Sequence, residues 1–116
     1  MKIYLAGPMT GHPQHNFPLF NHVAVKLRTL GHEVMNPADL TISTYGTIEQ
    51  FEQAPEDERI KVVRSLLARE LSWICLHADA VYLLPGWENS FGARAEREAA
   101  CAVKIEVHMV PEELLP

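Results

Sequence analysis

The chain has 116 residues, of which 47% are hydrophobic and 22% are charged, and its formal net charge is -5. This length fits a single domain, which we assign to residues 1–110, with residues 111–116 as a C-terminal tail. The acidic balance argues against binding to nucleic acid polymers, which requires a basic face. No apolar run suits a membrane span or a signal peptide, so we expect a cytoplasmic protein with reduced cysteines.

Strand and helix patterns alternate along the chain. The predicted strands are residues 2–6, 32–36, 79–85 and 104–110. The predicted helices are residues 17–30, 55–76 and 91–102. Residues 38–54 show little periodicity and are predicted to form a functional or partly ordered loop. The order predicts an α/β fold, a Rossmann-like or flavodoxin-like three-layer sandwich with a mostly parallel sheet of four or five strands.

Residue types at helix ends and on helix faces support this assignment. Asn16 is placed to cap the first helix, and Gly31 follows its last turn. Cys75 and Cys101 lie among apolar residues of two helices, which predicts small buried side chains.

Ligands of such folds bind at the carboxyl ends of the strands, near the switch point of the sheet. Two loops should meet there, residues 7–11 and residues 86–92. Asn89 or Ser90 can cap the following helix, whose first amides form an anion site, and both are candidate ligand contacts. Gly92 permits close approach of a ligand, and Glu96 lies one turn further on the same helical face. The alternative interpretation is an ordinary helix N-terminus with a solvated acidic residue.

Three segments carry a family resemblance: KIYLAGPMTG, GHEVMNPA and ADAVYLLPGWENSFGARAEREAA. Together they resemble the nucleoside 2-deoxyribosyltransferase-like superfamily, in particular its small phage and bacterial members. With the intervening helix, the resemblance covers the chain from Lys2 to about Val107. It implies a Rossmann-like fold, a homodimer or larger assembly, and cleavage of the N-glycosidic bond between a nucleobase and a ribose or deoxyribose, without a cofactor.

The resemblance also assigns catalytic roles. It implies that Glu96 is the carboxylate that attacks C1′ or stabilises an oxocarbenium ion. It places Glu70 where the family has an aspartate that serves the leaving base; otherwise Glu70 is the polar flank of a helix. Tyr4 corresponds to a tyrosine near the catalytic glutamate, whose phenol hydrogen-bonds and orients that carboxylate, or else it is a core aromatic residue.

The substrate is indicated by the position six residues before the catalytic glutamate. In the family an acid there binds a 5′-hydroxyl, whereas a serine there helps to bind a 5′-phosphate, and this chain has Ser90. Gly7, Pro8 and Met9 correspond to the loop that walls the base and the sugar. Trp87 is placed to stack on a base, to cover the pocket or to anchor a subunit contact.

Our leading hypothesis is therefore a nucleoside 5′-monophosphate N-glycosidase, a hydrolase that releases a free base and a (deoxy)ribose 5-phosphate. Base exchange by a nucleoside 2-deoxyribosyltransferase, a non-catalytic module that senses nucleotides, and a purely structural role remain open. His12 and His15 have a spacing that suits a metal, but no acid or cysteine completes a set. We expect these loop histidines to contact substrate or solvent, and we expect no metal.

Overall fold

A four-stranded parallel sheet runs through the middle of the molecule, in a computed structural model that describes residues 1–116. The strands are β1 Lys2–Ala6, β2 Glu33–Met35, β3 Ala80–Leu83 and β4 Glu106–Met109. Their order is β2-β1-β3-β4, and every neighbouring pair is parallel. The central position of β1 and β3 explains their continuous apolar sequences, because both faces of such strands are covered.

Helices cover both faces of this sheet, which confirms the predicted three-layer α/β fold. The helices are α1 Phe17–Thr29, α2 Pro37–Thr44, α3 Ile48–Gln53, α4 Glu56–His77 and α5 Phe91–Ala102. On one face, Ile3 and Leu5 of β1 pack against α1. On the other face, Tyr4 and Ala6 pack against α4 and α5. The alternation of side chains along β1 therefore directs Tyr4 towards α4 and α5.

The segment 38–54 is not a loop, so that prediction was wrong. The side chain of Asn36 accepts a hydrogen bond from the amide of Ala38 at 3.1 Å, and Pro37 occupies the first helical position, which starts α2. Thr47 and Gln50 form a reciprocal capping box that starts α3. Both helices are short, and each is fixed at its N-terminus by these local bonds.

The two ends of α1 differ in how well the sequence predicts them. Asn16 does not cap the helix; its backbone is left-handed, with φ of 61°, and its side-chain amide donates to the carbonyl of Pro8 at 2.9 Å. Gly31 has φ of 95° and ends α1 as predicted. The amide of Gly31 donates to Arg28, and that of His32 donates to Leu27, which is the paired arrangement of a Schellman motif.

The two cysteines contradict the sequence prediction, because Cys75 on α4 and Cys101 on α5 are both exposed. Ile74 and Ala100, the residues just before them, are buried, whereas the cysteines lie on the outer surfaces of these helices. At the C-terminus, Leu114 and Leu115 pack against the core on the α1 side. None of the helices combines the length and the hydropathy that a membrane span requires.

Candidate active site

The carboxyl ends of β1 and β3 lie side by side, and the chain leaves them in opposite directions across the sheet. β2 lies beyond β1, and β4 lies beyond β3, so the switch point falls between the two central strands. The amide of Leu84 donates to Ala6 at 2.8 Å and holds the two ends together. A Cβ at Gly7 would lie 2.7 Å from the Cβ of Leu84, so this approach requires glycine.

A cavity of about 320 Å³ opens at this edge of the sheet. Its volume lies within the range of small-molecule sites. The polar side chains that line it are Tyr4, Thr10, His15, Thr41, Glu70, Ser90 and Glu96. No lysine or arginine lines it. Most of the other lining residues are apolar, and Glu70 and Glu96 are the only acidic residues among them.

Three of these polar groups form a chain of hydrogen bonds in the floor of the cavity. The phenol oxygen of Tyr4 lies 2.5 Å from Oε2 of Glu96 and 2.9 Å from Oε2 of Glu70. Tyr4 is fully buried and Glu96 is 5% exposed. β1 supplies the tyrosine, α4 supplies Glu70 and α5 supplies Glu96, so residues far apart in sequence converge on one phenol.

Burial raises the pKa values of all three hydrogen-bonded side chains. It raises the pKa of Glu96 well above its ordinary range, and the nearby charge of Glu70 raises it further. Burial also raises the pKa of Glu70, and burial together with both carboxylates raises the pKa of Tyr4.

The phenol of Tyr4 therefore stays protonated, but its one hydrogen can satisfy only one carboxylate at a time. The second short contact needs a hydrogen from the other carboxyl group. The two short contacts and the raised pKa values of both carboxyl groups fit an arrangement in which Glu70 and Glu96 hold one proton between them.

The N-terminus of α5 forms another wall of the cavity. The hydroxyl oxygen of Ser90 accepts a hydrogen bond from the amide of Ala93 at 3.2 Å, so the predicted cap at Ser90 is present. The amides of Phe91 and Gly92, at the first two positions of the helix, have no partner within the helix. Since a Cβ at Gly92 would meet nothing closer than 4.0 Å, this glycine leaves open space beside the amides.

The structure brings most of the site residues predicted from the sequence into this cavity, but not all of them. Tyr4, Gly7, Met9, Glu70, Ser90, Gly92 and Glu96 line it. Pro8, Trp87 and Asn89 do not line it. Pro8 is buried beneath Gly86, and Trp87 packs on the α5 side of the core, where the guanidinium of Arg97 lies 5.5 Å from its ring centre.

Three aromatic rings in the outer wall were only partly anticipated. Of the two loop histidines, His15 lines the cavity and His12 does not. Phe17 and Phe51 stand beside it. Phe51 belongs to α3, and the Thr47–Gln50 capping box was the sequence signal that could have placed it. The structure has no group of three or more side chains arranged to hold a metal.

Two comparisons with known proteins bear on this chain. No curated protein matches it. A family model described as a domain of unknown function, DUF4406, matches residues 1–109, which is nearly the whole chain. The chain therefore belongs to the DUF4406 family.

Proposed function

We propose that this protein is a nucleoside 5′-monophosphate N-glycosidase that cleaves the bond between base and sugar through a carboxylate nucleophile. The observation that carries the proposal is the Glu70–Tyr4–Glu96 chain, which is buried in a cavity of substrate size at the switch point of the sheet. Buried carboxyl groups that share a proton are costly to stability, and such groups are typical of catalytic sites.

The spacing of the two carboxyl groups favours a covalent route. One oxygen of each carboxyl group lies 2.9 Å (Glu70) or 2.5 Å (Glu96) from the same phenol oxygen, so these two oxygens are at most about 5.4 Å apart, which is closer than the gap that inverting enzymes leave for water. Retaining glycosidases place their two carboxyl groups roughly 5–5.5 Å apart, whereas inverting enzymes leave a wider gap for water. This spacing supports direct attack by one carboxylate on the anomeric carbon.

Tyr4 provides a path for the shared proton. When the proton rests on Glu96, it can pass to the phenol oxygen of Tyr4 while the phenol hydrogen passes to Glu70. The result is an ionised Glu96 and a protonated Glu70, with no change in net charge. Glu96 then attacks C1′, the electron pair of the N-glycosidic bond leaves with the base, and the proton of Glu70 neutralises the departing base.

The second half of the reaction reverses these roles. Glu70, now ionised, takes a proton from a water molecule, and the resulting hydroxide attacks C1′. The bond between C1′ and Glu96 breaks, its electron pair returns to the carboxylate, and (deoxy)ribose 5-phosphate is released. If a second base replaces water, the same intermediate gives base exchange.

The N-terminus of α5 is suited to bind the 5′-phosphate of the substrate. Its free amides and positive dipole end suit an anion, and the hydroxyl of Ser90 can donate its hydrogen while its oxygen caps the helix. Because no lysine or arginine lines the cavity, these neutral donors carry the phosphate contact alone.

The resemblance also leads us to propose a homodimer or larger assembly. Phe91, which is 87% exposed, and Val63, which is 50% exposed, both lie at the cavity. Apolar side chains this exposed are often covered by another subunit. Sedimentation equilibrium tests this, and a monomer at all protein concentrations would overturn it.

The reaction is tested by incubating the protein with a panel of purine and pyrimidine nucleoside monophosphates and separating the products by chromatography. We expect free base and sugar phosphate from at least one monophosphate, and less from the matching nucleoside. A second base in the mixture distinguishes hydrolysis from transfer, because transfer yields a new nucleotide. If no base is released from any member of the panel, the proposed activity is wrong.

A further inference from the structure

The imidazole of His15 lines the cavity and is held by two aromatic neighbours. Its ring stands edge-on to Phe51, with centres 5.2 Å apart, and to Phe17, with centres 6.3 Å apart. Phe51 in turn stands edge-on to Tyr45 on the far side. This packing fixes the plane of the imidazole by contacts from two separate helices, so its orientation is defined before any ligand arrives.

Neither ring nitrogen of His15 has a hydrogen-bond partner in the protein, although the ring is partly buried and lines the cavity. The other polar side chains of the cavity floor, Tyr4, Glu70 and Glu96, are bonded to one another. His15 therefore lines the cavity with hydrogen-bonding capacity that the fold does not use.

The backbone around His15 supports a functional role. Gln14, His15 and Asn16 have φ of 52°, 53° and 61°, and three successive residues with side chains rarely adopt this left-handed conformation. The bond from Asn16 to the carbonyl of Pro8 holds the turn, as does the bond from the amide of His15 to the carbonyl of His12 at 3.0 Å. The protein thus maintains an unfavourable backbone that presents this ring.

The place of His15 relative to a bound nucleotide follows from the proposed function. If C1′ lies at Glu96 and the phosphate lies at the start of α5, the base must occupy the remaining wall. That wall consists of aromatic and aliphatic side chains from α1, α3 and α4, with His15 beside Phe17 and Phe51. A flat heterocycle fits such a wall, and heterocycles offer polar edges for a hydrogen bond.

We propose that His15 is the specificity-determining residue for the leaving base, which it recognises by a hydrogen bond from its imidazole to the edge of a purine or pyrimidine. This inference rests on the proposed function for the position of the base. Burial lowers the pKa of His15, Arg59 lowers it further, and Glu52 opposes both. A neutral ring offers one donor and one acceptor, which suits an uncharged base better than a cation would.

The test uses binding of free bases, which does not require catalysis. Adenine, guanine, hypoxanthine, cytosine, uracil and thymine are titrated into the wild type and into His15→Phe by calorimetry. The phenylalanine keeps the aromatic packing and removes the hydrogen bond. We expect at least roughly tenfold weaker binding of the base that the wild type binds best, because an unpaired polar edge is costly in a buried site.

A matched control is His12→Phe, which makes the same change in the same loop but outside the cavity, and it should bind like the wild type. His15→Asn guards against misfolding, since asparagine tolerates the left-handed backbone, and it should also weaken binding. Equal binding by His15→Phe and the wild type, or no binding of any base by the wild type, would overturn the inference. Base release that is unaffected by His15→Phe would overturn it while the proposed activity stands.

Discussion

Tyr4 and Glu96 are separated by 92 positions in the sequence, yet the phenol oxygen of one lies 2.5 Å from a carboxylate oxygen of the other. β1 directs Tyr4 to the face of the sheet that α4 and α5 cover. α5 begins beside the same edge of the sheet and turns Glu96 inward one helical turn after Gly92. The fold therefore assembles the catalytic candidates by the packing of one helical layer.

The hydrogen bonds between the phenol of Tyr4 and the two carboxyl groups are tested by Tyr4→Phe. The hydrogen bond from Tyr4 lowers the pKa of Glu96, so its loss should raise that pKa further. Because activity requires ionised Glu96, the rising limb of the pH–rate profile should move to higher pH, and kcat should fall roughly tenfold to a hundredfold. Tyr82→Phe, on the opposite face of the sheet, is the matched control. An unchanged profile in Tyr4→Phe would show that the phenol has no part in ionising Glu96.

The buried carboxyl pair should also make folding stability depend on pH. The pKa of Glu96 is raised in the folded state above its ordinary value of 4.5, so its contribution is greatest in acid and is lost as the pH rises through the folded pKa. Glu96→Gln should therefore gain stability relative to the wild type as the pH rises from 5 to 8, because the amide has no proton to lose.

Urea unfolding at these two pH values measures the difference in stability. Glu98→Gln serves as the control, because Glu98 is exposed on the same helix and pairs only with Arg97. A stability difference between wild type and Glu96→Gln that stays constant with pH would contradict the raised pKa of Glu96.

Ser90→Asp separates helix capping from phosphate binding. Aspartate caps a helix as well as serine does, so the free energy of unfolding should change by less than about 0.5 kcal/mol. Its carboxylate would repel a 5′-phosphate, so kcat/KM should fall at least roughly a hundredfold for a monophosphate and less for the nucleoside. Parallel kinetics on both substrates give the answer. Equal losses for the two would argue against a phosphate at the start of α5.

Gly92→Ala should stabilise the fold and impair the site. Alanine in a helix is favoured over glycine by roughly 0.5–1 kcal/mol, and a Cβ here meets nothing closer than 4.0 Å in the protein. The added methyl group would project into the cavity and weaken nucleotide binding. Thermal unfolding and calorimetric titration measure the two effects. A variant that binds nucleotide as tightly as the wild type would show that the ligand does not approach this amide.

The sheet and its long helices could be predicted from sequence because their patterns are strong. β1 was predicted with its observed ends, and the unbroken apolar run around Val81 indicated a central strand. Helix geometry offered Asn89 or Ser90 as the cap and placed Glu96 one turn after Gly92, but it left open whether Glu96 faces solvent, and only the family resemblance favoured a place in the site. These features depend on contacts within one helix or strand, or between adjacent ones, and the spacing of apolar residues in the sequence reflects such contacts.

The outer wall of the cavity could not be predicted in the same way. α2 and α3 are too short to show a clear apolar period, so periodicity did not indicate that Phe51 faces the cavity, and only the Thr47–Gln50 capping box marked the start of its helix. Asn16 looked like a helix cap, but the left-handed turn diverts its side chain to Pro8. Cys75 and Cys101 were misjudged because the face that a helix turns outward depends on its tertiary partners.

The most direct test of the central claim compares base release by the wild type, Glu96→Gln and Glu98→Gln on the best monophosphate of the panel. If Glu96 is the nucleophile, Glu98→Gln should match the wild type and Glu96→Gln should be slower by at least roughly 1,000-fold while remaining folded. Release by Glu96→Gln within about tenfold of the wild-type rate would contradict the account.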